Sequence, residues 1–251
     1  MLVRGAAPRS GRALPLLVAG WIAVALLAGH LAVVQAVEDM SAIALLDPPA
    51  HAWFVAHRTG VLDPLMVAVS AVGGAAGMAV LAAVAAALLL RSARRAHAAI
   101  VMIAFVGGQV LSEGAKQLYQ RARPPVADQL VVSTSYALPS GHSLGAIVVV
   151  GVVAAVAVQL GPGRARRSGV IVLATAVVLG IGASRLYLGV HWPTDILSGY
   201  LLGGAWLAVC VGCLLVVEGR RATTLAALTS AGPLAGRHRY RCIPFRDISR
   251  R

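Results

Sequence analysis

The sequence predicts an all-α bundle of six membrane-spanning helices. Composition is the first reason: 59% of the residues are hydrophobic, 12% are charged and the mean hydropathy is +0.81. Those values belong to an integral membrane protein rather than a soluble domain. The second is the gathering of apolar residues into six runs, at about 14–37, 64–90, 97–115, 142–160, 169–188 and 195–217. Each is close to the ~20 residues a helix needs to cross a bilayer. The third is charge, which falls between the runs and differs sharply from one set of loops to the other.

The first span follows Arg4, Arg9 and Arg12. Although Val33-Val34-Gln35-Ala36 resembles a cleavage site, the apolar stretch is longer than a signal peptide needs, so the span is expected to be retained. Span two carries Gly73 and Gly77 in a G-x-x-x-G spacing suited to close helix packing, and is followed by Arg91, Arg94 and Arg95. Span three runs into KQLYQRARP, Lys116 to Pro124. Lys116 and Arg123 are seven apart, two helical turns, and are expected on one face of its end before Pro124 and Pro125 stop the helix. Span four opens on Pro139-Ser140-Gly141-His142 and is followed by Arg164, Arg166 and Arg167. Span five ends in SRLYLGVHWPTD, Ser184 to Asp195. Span six begins with Pro193 in its first turn and holds Cys210 and Cys213, read as packing residues inside an apolar helix. With Cys242 in the tail, no disulfide framework is expected. Residues 1–217 therefore form one six-span domain, and 218–251 a basic, flexible tail.

Positive charge orients the bundle. The termini and the loops after spans two and four carry 17 of the 22 basic residues against two acidic ones; the other side carries five basic against seven acidic. The positive-inside rule makes the first side cytoplasmic. Anionic inner-leaflet lipid accounts for the net charge of +13, and no nucleic-acid partner is expected. With that topology the three polar clusters meet at one face, the extracytoplasmic one. They contain the only lysine of the chain. Polar residues gathered there are a candidate site.

The clusters suit a phosphoryl group. Ser140 and Gly141 stand at a helix start, where free amides and the helix dipole favour an anion, and Gly141 permits close approach to the backbone. Asp195, four residues after His191, can accept a hydrogen bond from one ring nitrogen and leave the other free to attack. An ammonium and two guanidinium groups complete a site for a dianion.

On these motifs, Lys116 with Arg123-Pro124, Pro139 to His142, and Ser184-Arg185 with His191 and Asp195, the chain resembles the type 2 phosphatidic acid phosphatase superfamily. These are membrane lipid-phosphate phosphatases with an acid-phosphatase and vanadium-haloperoxidase-like core. The motifs span about 80 residues, and Ala137-Leu138 stands where the family commonly has an aromatic. The resemblance implies that His191 is the nucleophile, oriented by Asp195. It also implies that Lys116, Arg123, Arg185, Ser140 and Gly141 hold the phosphoryl oxygens. His142 would be the general acid and later the base, with neither metal nor cofactor needed. The substrate is expected to be a lipid phosphate or diphosphate in the plasma membrane of a bacterium. A polyprenyl diphosphate such as undecaprenyl diphosphate is favoured over phosphatidic acid or phosphatidylglycerol phosphate, and a lipid phosphotransferase remains an alternative. The motifs leave oligomeric state open.

Other polar residues carry plainer readings. His30, His51, His57, His97 and His238 lack spaced partners, and Ser184 is expected to cap or position. Tyr119, Tyr136 and Tyr187 are interfacial anchors or site walls. Glu113, one turn before Lys116, is either its ion-pair partner or an interfacial acid.

Overall fold

The computed structural model describes the backbone of residues 10–230 and the side chains of 14–219. Among these residues every regular element is helical. Helix α1 covers Ser10–Glu38, α2 Asp47–Ala56, α3 Leu62–Gly73, α4 Ala75–Arg91, α5 Arg95–Tyr119, α6 Gly141–Leu160, α7 Arg164–Tyr187 and α8 Pro193–Ser230. Short 3₁₀ turns occupy Ala42–Leu46 and Val126–Asp128. Five helices, α1, α5, α6, α7 and α8, are long and apolar enough to cross a membrane. Together α3 and α4, bent by 53° at Gly74, are long and apolar enough for a sixth.

Helix α6 is the axis of the bundle. Leu144, Val148, Val149 and Val152 are fully buried against α4, α5, α7 and α8, so its apolar residues face protein on several sides rather than lipid. Long side chains such as Leu88, Ile103, Val172 and Leu173 on the outer helices stay exposed. That pattern is stable only in hydrocarbon, where no aqueous penalty attaches to outward-facing apolar surface. Helix α1 lies along α8, joined by a bond between Ser198 Oγ and His30 Nδ1 at 2.9 Å, while Tyr119 Oη stands 3.1 Å from His30 Nε2.

The structure departs from the sequence expectation in three places. Span two is broken rather than continuous. A side chain at Gly73 would strike Ile181 of α7, and one at Gly77 would strike the Val72 carbonyl; both glycines therefore permit close packing around the break. Helix α5 stops at Tyr119, so Arg123 lies in a loop and not on the helical face of Lys116. Gln120 caps α5 in the left-handed region at φ 47°, and the Arg121 carbonyl is engaged by Ala137 N at 2.9 Å; the local cap and this tertiary bond replace further helix. Finally, α8 continues to Ser230, past the boundary expected at 217–218, through a stretch rich in the good helix formers Ala and Leu. The rest of the expected tail, with His238 and Cys242, lies outside the described residues.

Among the described residues, α4 to α7 each have one end at the loops that carry the arginines, and the polar clusters lie at the other end of the bundle. Lys116 ends α5, Gly141 begins α6, Arg185 ends α7 and Asp195 begins α8. Arg91, Arg94, Arg95, Arg164, Arg166 and Arg167 sit at the opposite end. The α1–α3 connection, with α2, covers the polar end: Arg58 donates to the carbonyls of Tyr187 at 2.8 Å and Asp128 at 2.7 Å.

Candidate functional site

Two helix starts and two helix ends build the site. The Ser140 amide donates to the Asp195 carbonyl at 2.9 Å, which ties the start of α6 to the first turn of α8. Gly189, at φ 72°, turns the chain back between Arg185 and His191. A Cβ at that position would collide with the Asp128 carbonyl and with Arg58, so glycine is required for both conformation and space.

His191 is 1% exposed and Asp195 fully buried. Their closest atoms, Nδ1 and Oδ2, are 3.3 Å apart, and the Trp192 amide donates to the same Oδ2 at 2.8 Å. On the other side of the ring, Arg123 Nη1 stands 3.0 Å from Nε2. A guanidinium has no acceptor, so Nε2 must be the lone-pair nitrogen and Nδ1 must carry the proton toward Asp195. Burial first, then the cations Arg123, Arg185 and Lys116, hold the His191 imidazole well below the usual histidine range. It is therefore neutral near pH 7, the form with a nucleophilic nitrogen.

Around this imidazole lie the cations. Arg123 is fastened by bonds to Ser135 O at 2.6 Å, Ser135 Oγ at 3.0 Å, Tyr136 O at 3.1 Å and Val190 O at 2.6 Å. Burial lowers it from the usual guanidinium value, which Asp195 offsets, and it remains a cation. Lys116 Nζ reaches the same Ser135 Oγ at 3.4 Å. It also lies against Gly141, where a Cβ would be 3.4 Å from Nζ and 2.9 Å from Ser112 Oγ. Arg185, 5% exposed, donates through Nη1 to Ser70 Oγ; its buried Nε finds no acceptor among the described residues. A buried charged donor without an acceptor fits an anion from outside the chain.

Ser140 caps α6: its Oγ accepts from Ser143 N at 3.4 Å and Ser143 Oγ at 3.2 Å, leaving its own hydroxyl hydrogen to donate. The first intrahelical bond runs from Leu144 N to Ser140 O, so the amides of Gly141 and His142 are available at the helix start. His142 has the cations Arg185, Lys116 and Arg123 and the His191 ring as neighbours and faces the break in span two; its Nε2 is 3.4 Å from where a Gly74 Cβ would stand.

All eight residues singled out in the sequence thus lie at one end of the bundle around one imidazole. The plainer readings also find places. Glu113 accepts from Gln117 at 2.8 Å, Tyr187 Oη bonds Asp63 at 2.6 Å, and Ser184 Oγ bonds Ile181 O at 2.6 Å. His51 is 3.1 Å from Asp128, and His97 2.7 Å from Glu218. Sequence reasoning missed Asp47, Ser70, Arg121, Ser135 and Thr194. Arg121 and Thr194 lie inside the motif stretches and carried some signal. Asp47, Ser70 and Ser135 come from segments whose approach to the site no spacing shows. Among the described residues, no three His, Cys, Asp or Glu side chains are grouped to hold a metal.

The chain is similar to known membrane phosphatases in sequence and in fold. The family model described as the PAP2 superfamily matches residues 96–217. Phosphatidylglycerophosphatase B of Bacillus subtilis is 34% identical over 105 residues, 41% of this chain and 51% of that protein. An undecaprenyl-diphosphatase of Sulfolobus acidocaldarius is 32% identical over 126 residues, 48% of this chain and 56% of that one. The chain thus spans about half the length of the curated relatives it matches. In three dimensions it resembles the crystal structure of a transmembrane PAP2-type phosphatidylglycerolphosphate phosphatase from Bacillus subtilis. The TM-score is 0.70 at 26% identity, covering 76% of this chain and 94% of that one. Aquifex aeolicus LpxE shares the fold, with a TM-score of 0.51 at 20% identity over 68% of this chain and 94% of its own. Residues 96–217, which hold the three motifs, match the PAP2 superfamily model, and the fold is similar to that of a transmembrane PAP2-type phosphatase.

Proposed function

We propose that this protein is a membrane phosphatase that hydrolyses a lipid phosphate or diphosphate through a phosphohistidine at His191. The observation that carries the reading is the meeting of Lys116, Arg123 and Arg185 around a neutral, buried imidazole backed by a carboxylate. The His191 Nε2 lone pair forms the N–P bond as the ester or anhydride O–P bond breaks. His142 gives its proton to the departing oxygen, then takes one from the water that attacks the phosphohistidine. The three cations, the Ser140 hydroxyl and the α6 amides stabilise charge on the equatorial oxygens. One such preorganised donor is worth about 3–4 kcal/mol in the transition state. These cations supply the charge neutralisation a divalent metal otherwise provides, so the reaction needs none.

The favoured substrate is a polyprenyl diphosphate, met from the extracytoplasmic face of a bacterial plasma membrane, with both termini in the cytoplasm. The similarity to an undecaprenyl-diphosphatase supports it. Phosphatidylglycerol phosphate is the second reading, favoured by the similarity to the Bacillus subtilis phosphatidylglycerophosphatase. The motifs hold the phosphoryl group that both lipids share.

Phosphate release by the purified chain from undecaprenyl diphosphate, phosphatidylglycerol phosphate and phosphatidic acid, with and without EDTA, tests the proposal. The expected result is release from at least one lipid, unchanged by EDTA and blocked by vanadate, a mimic of the phosphoryl transition state. Activity lost with EDTA and restored by a divalent ion would overturn the metal-free mechanism. Transfer of phosphate to a second lipid with no inorganic phosphate would make the protein a phosphotransferase.

A further inference from the structure

Behind the candidate nucleophile lies a second guanidinium, Arg121, with both terminal nitrogens committed to carboxylates. Nη1 donates to Asp195 Oδ1 at 2.6 Å and Nη2 to Asp47 Oδ2 at 2.6 Å. Nη1 also bonds Thr194 Oγ1 at 2.7 Å, and the Trp192 ring lies 5.8 Å from the guanidinium carbon. Asp47 and Asp195 are 2% and 0% exposed. Asp47 belongs to the start of α2, outside the residues 96–217 that the family model matches.

We propose that Asp47 and Arg121 form a positioning clamp that sets Asp195, and through it the His191 imidazole, in line for attack on phosphorus. The inference rests on His191 being the nucleophile. An aspartate carboxylate turns freely about its last torsion unless both oxygens are engaged. Here Arg121 takes Oδ1, which leaves Oδ2 for the Trp192 amide and the Nδ1–H of His191. Asp47 in turn aims Arg121, and it also receives the Thr194 amide at 3.0 Å and the Thr194 hydroxyl. It thereby pins the first turn of α8, the turn that carries Asp195. One segment, remote in sequence, thus fixes both the partner of the carboxylate and the backbone beneath it.

Charge gives the clamp a second task. When Nε2 bonds to phosphorus and Nδ1 keeps its proton, the ring becomes a cation. Two carboxylates around one guanidinium leave one net negative charge behind that ring, on the side away from the phosphate. Arg121 also differs in role from Arg123, two residues on. Arg123 faces Nε2, where phosphorus bonds, whereas Arg121 is taken up by Asp47, Asp195, Thr194 and the Trp192 ring and is not placed as a phosphate ligand.

The test uses the full chain in detergent with farnesyl diphosphate as substrate and orthovanadate as anion probe. Asp47→Asn keeps the size and an oxygen acceptor for Thr194 but removes the charge, and Arg121→Lys keeps the charge but reaches one carboxylate at a time. Each is expected to lower kcat by about 10–100-fold, the usual cost of an orienting partner, with KM and vanadate inhibition little changed. Arg121→Gln should be worse than Arg121→Lys. In an Asp195→Asn background, followed by single-turnover quench, Arg121→Lys should cost nothing further, because its effect passes through Asp195. A parallel loss of vanadate inhibition would make Arg121 a phosphate ligand and overturn the clamp. So would a lower melting temperature with kcat per folded molecule intact, or full additivity with Asp195→Asn. Acid quench of the wild type with labelled substrate separates the two readings. Label on His191 with any of those results removes the clamp alone; absence of label removes the phosphohistidine reading and the clamp with it.

Discussion

Burial of His191 links its chemistry to its stability. Its folded pKa is depressed, so below the ordinary histidine value the unfolded chain binds a proton that the folded chain refuses. The stabilising contribution is therefore complete above about pH 6.5 and is lost as pH falls below it, with a slope of up to about 1.4 kcal/mol per pH unit. Melting temperatures of wild type and His191→Gln in detergent should converge, or cross, between pH 6.5 and 5. A wild-type-minus-variant difference that is flat across that window would show that the imidazole is not held neutral. The two neighbouring arginines make a related point. Arg121 and Arg123 occupy one short loop yet serve opposite sides of the His191–Asp195 pair, and only the partners of each distinguish them.

The helix termini near the site are closed by capping residues, local or distant. Ser140 caps α6, Asp47 caps α8 from a distant segment, and Gln120 closes α5. The turn from α7 to α8 depends on Gly189, and this gives a prediction about an element rather than a functional group. Gly189→Ala should cost about 1–3 kcal/mol for the left-handed backbone alone, with more from collision with Asp128 and Arg58. Because the turn sets the spacing between Arg185 and His191, the melting temperature and activity should fall together. Activity retained at wild-type level in a destabilised variant would mean that the turn does not set the site. The break at Gly74 has comparable importance: it bends span two so that Ser70 reaches Arg185 and the backbone passes beside His142.

At the scale of the molecule the two ends of the bundle differ, with the site at one end and arginine-rich turns at the other. On the proposed orientation, taken from the positive-inside rule, the arginines face the cytoplasm, and the prediction is a labelling pattern. After the native cysteines are replaced, a cysteine at the exposed Val132, beside the site, should react with an impermeant thiol reagent in intact cells. One at the exposed Ser168, at the opposite end, should react only after lysis. The reverse pattern would put the site in the cytoplasm and remove the outer-face assignment.

The span count and the convergence of the three motifs were legible in the sequence, because hydrophobic length and charge asymmetry are properties of contiguous residues. The eight residues of the motifs were legible for the same reason: their spacing is short and their chemistry distinctive. Tertiary structure alone decided how they meet. Lys116 and Arg123 converge through Ser135 and a loop, not along a helix, because the bonds that hold the loop outweigh continued helical geometry. Asp47 reaches Thr194 across 147 residues and Ser70 reaches Arg185 across 115. No local pattern encodes such partnerships. They arise because a buried charge must find a compensating group wherever the packed bundle brings one within reach.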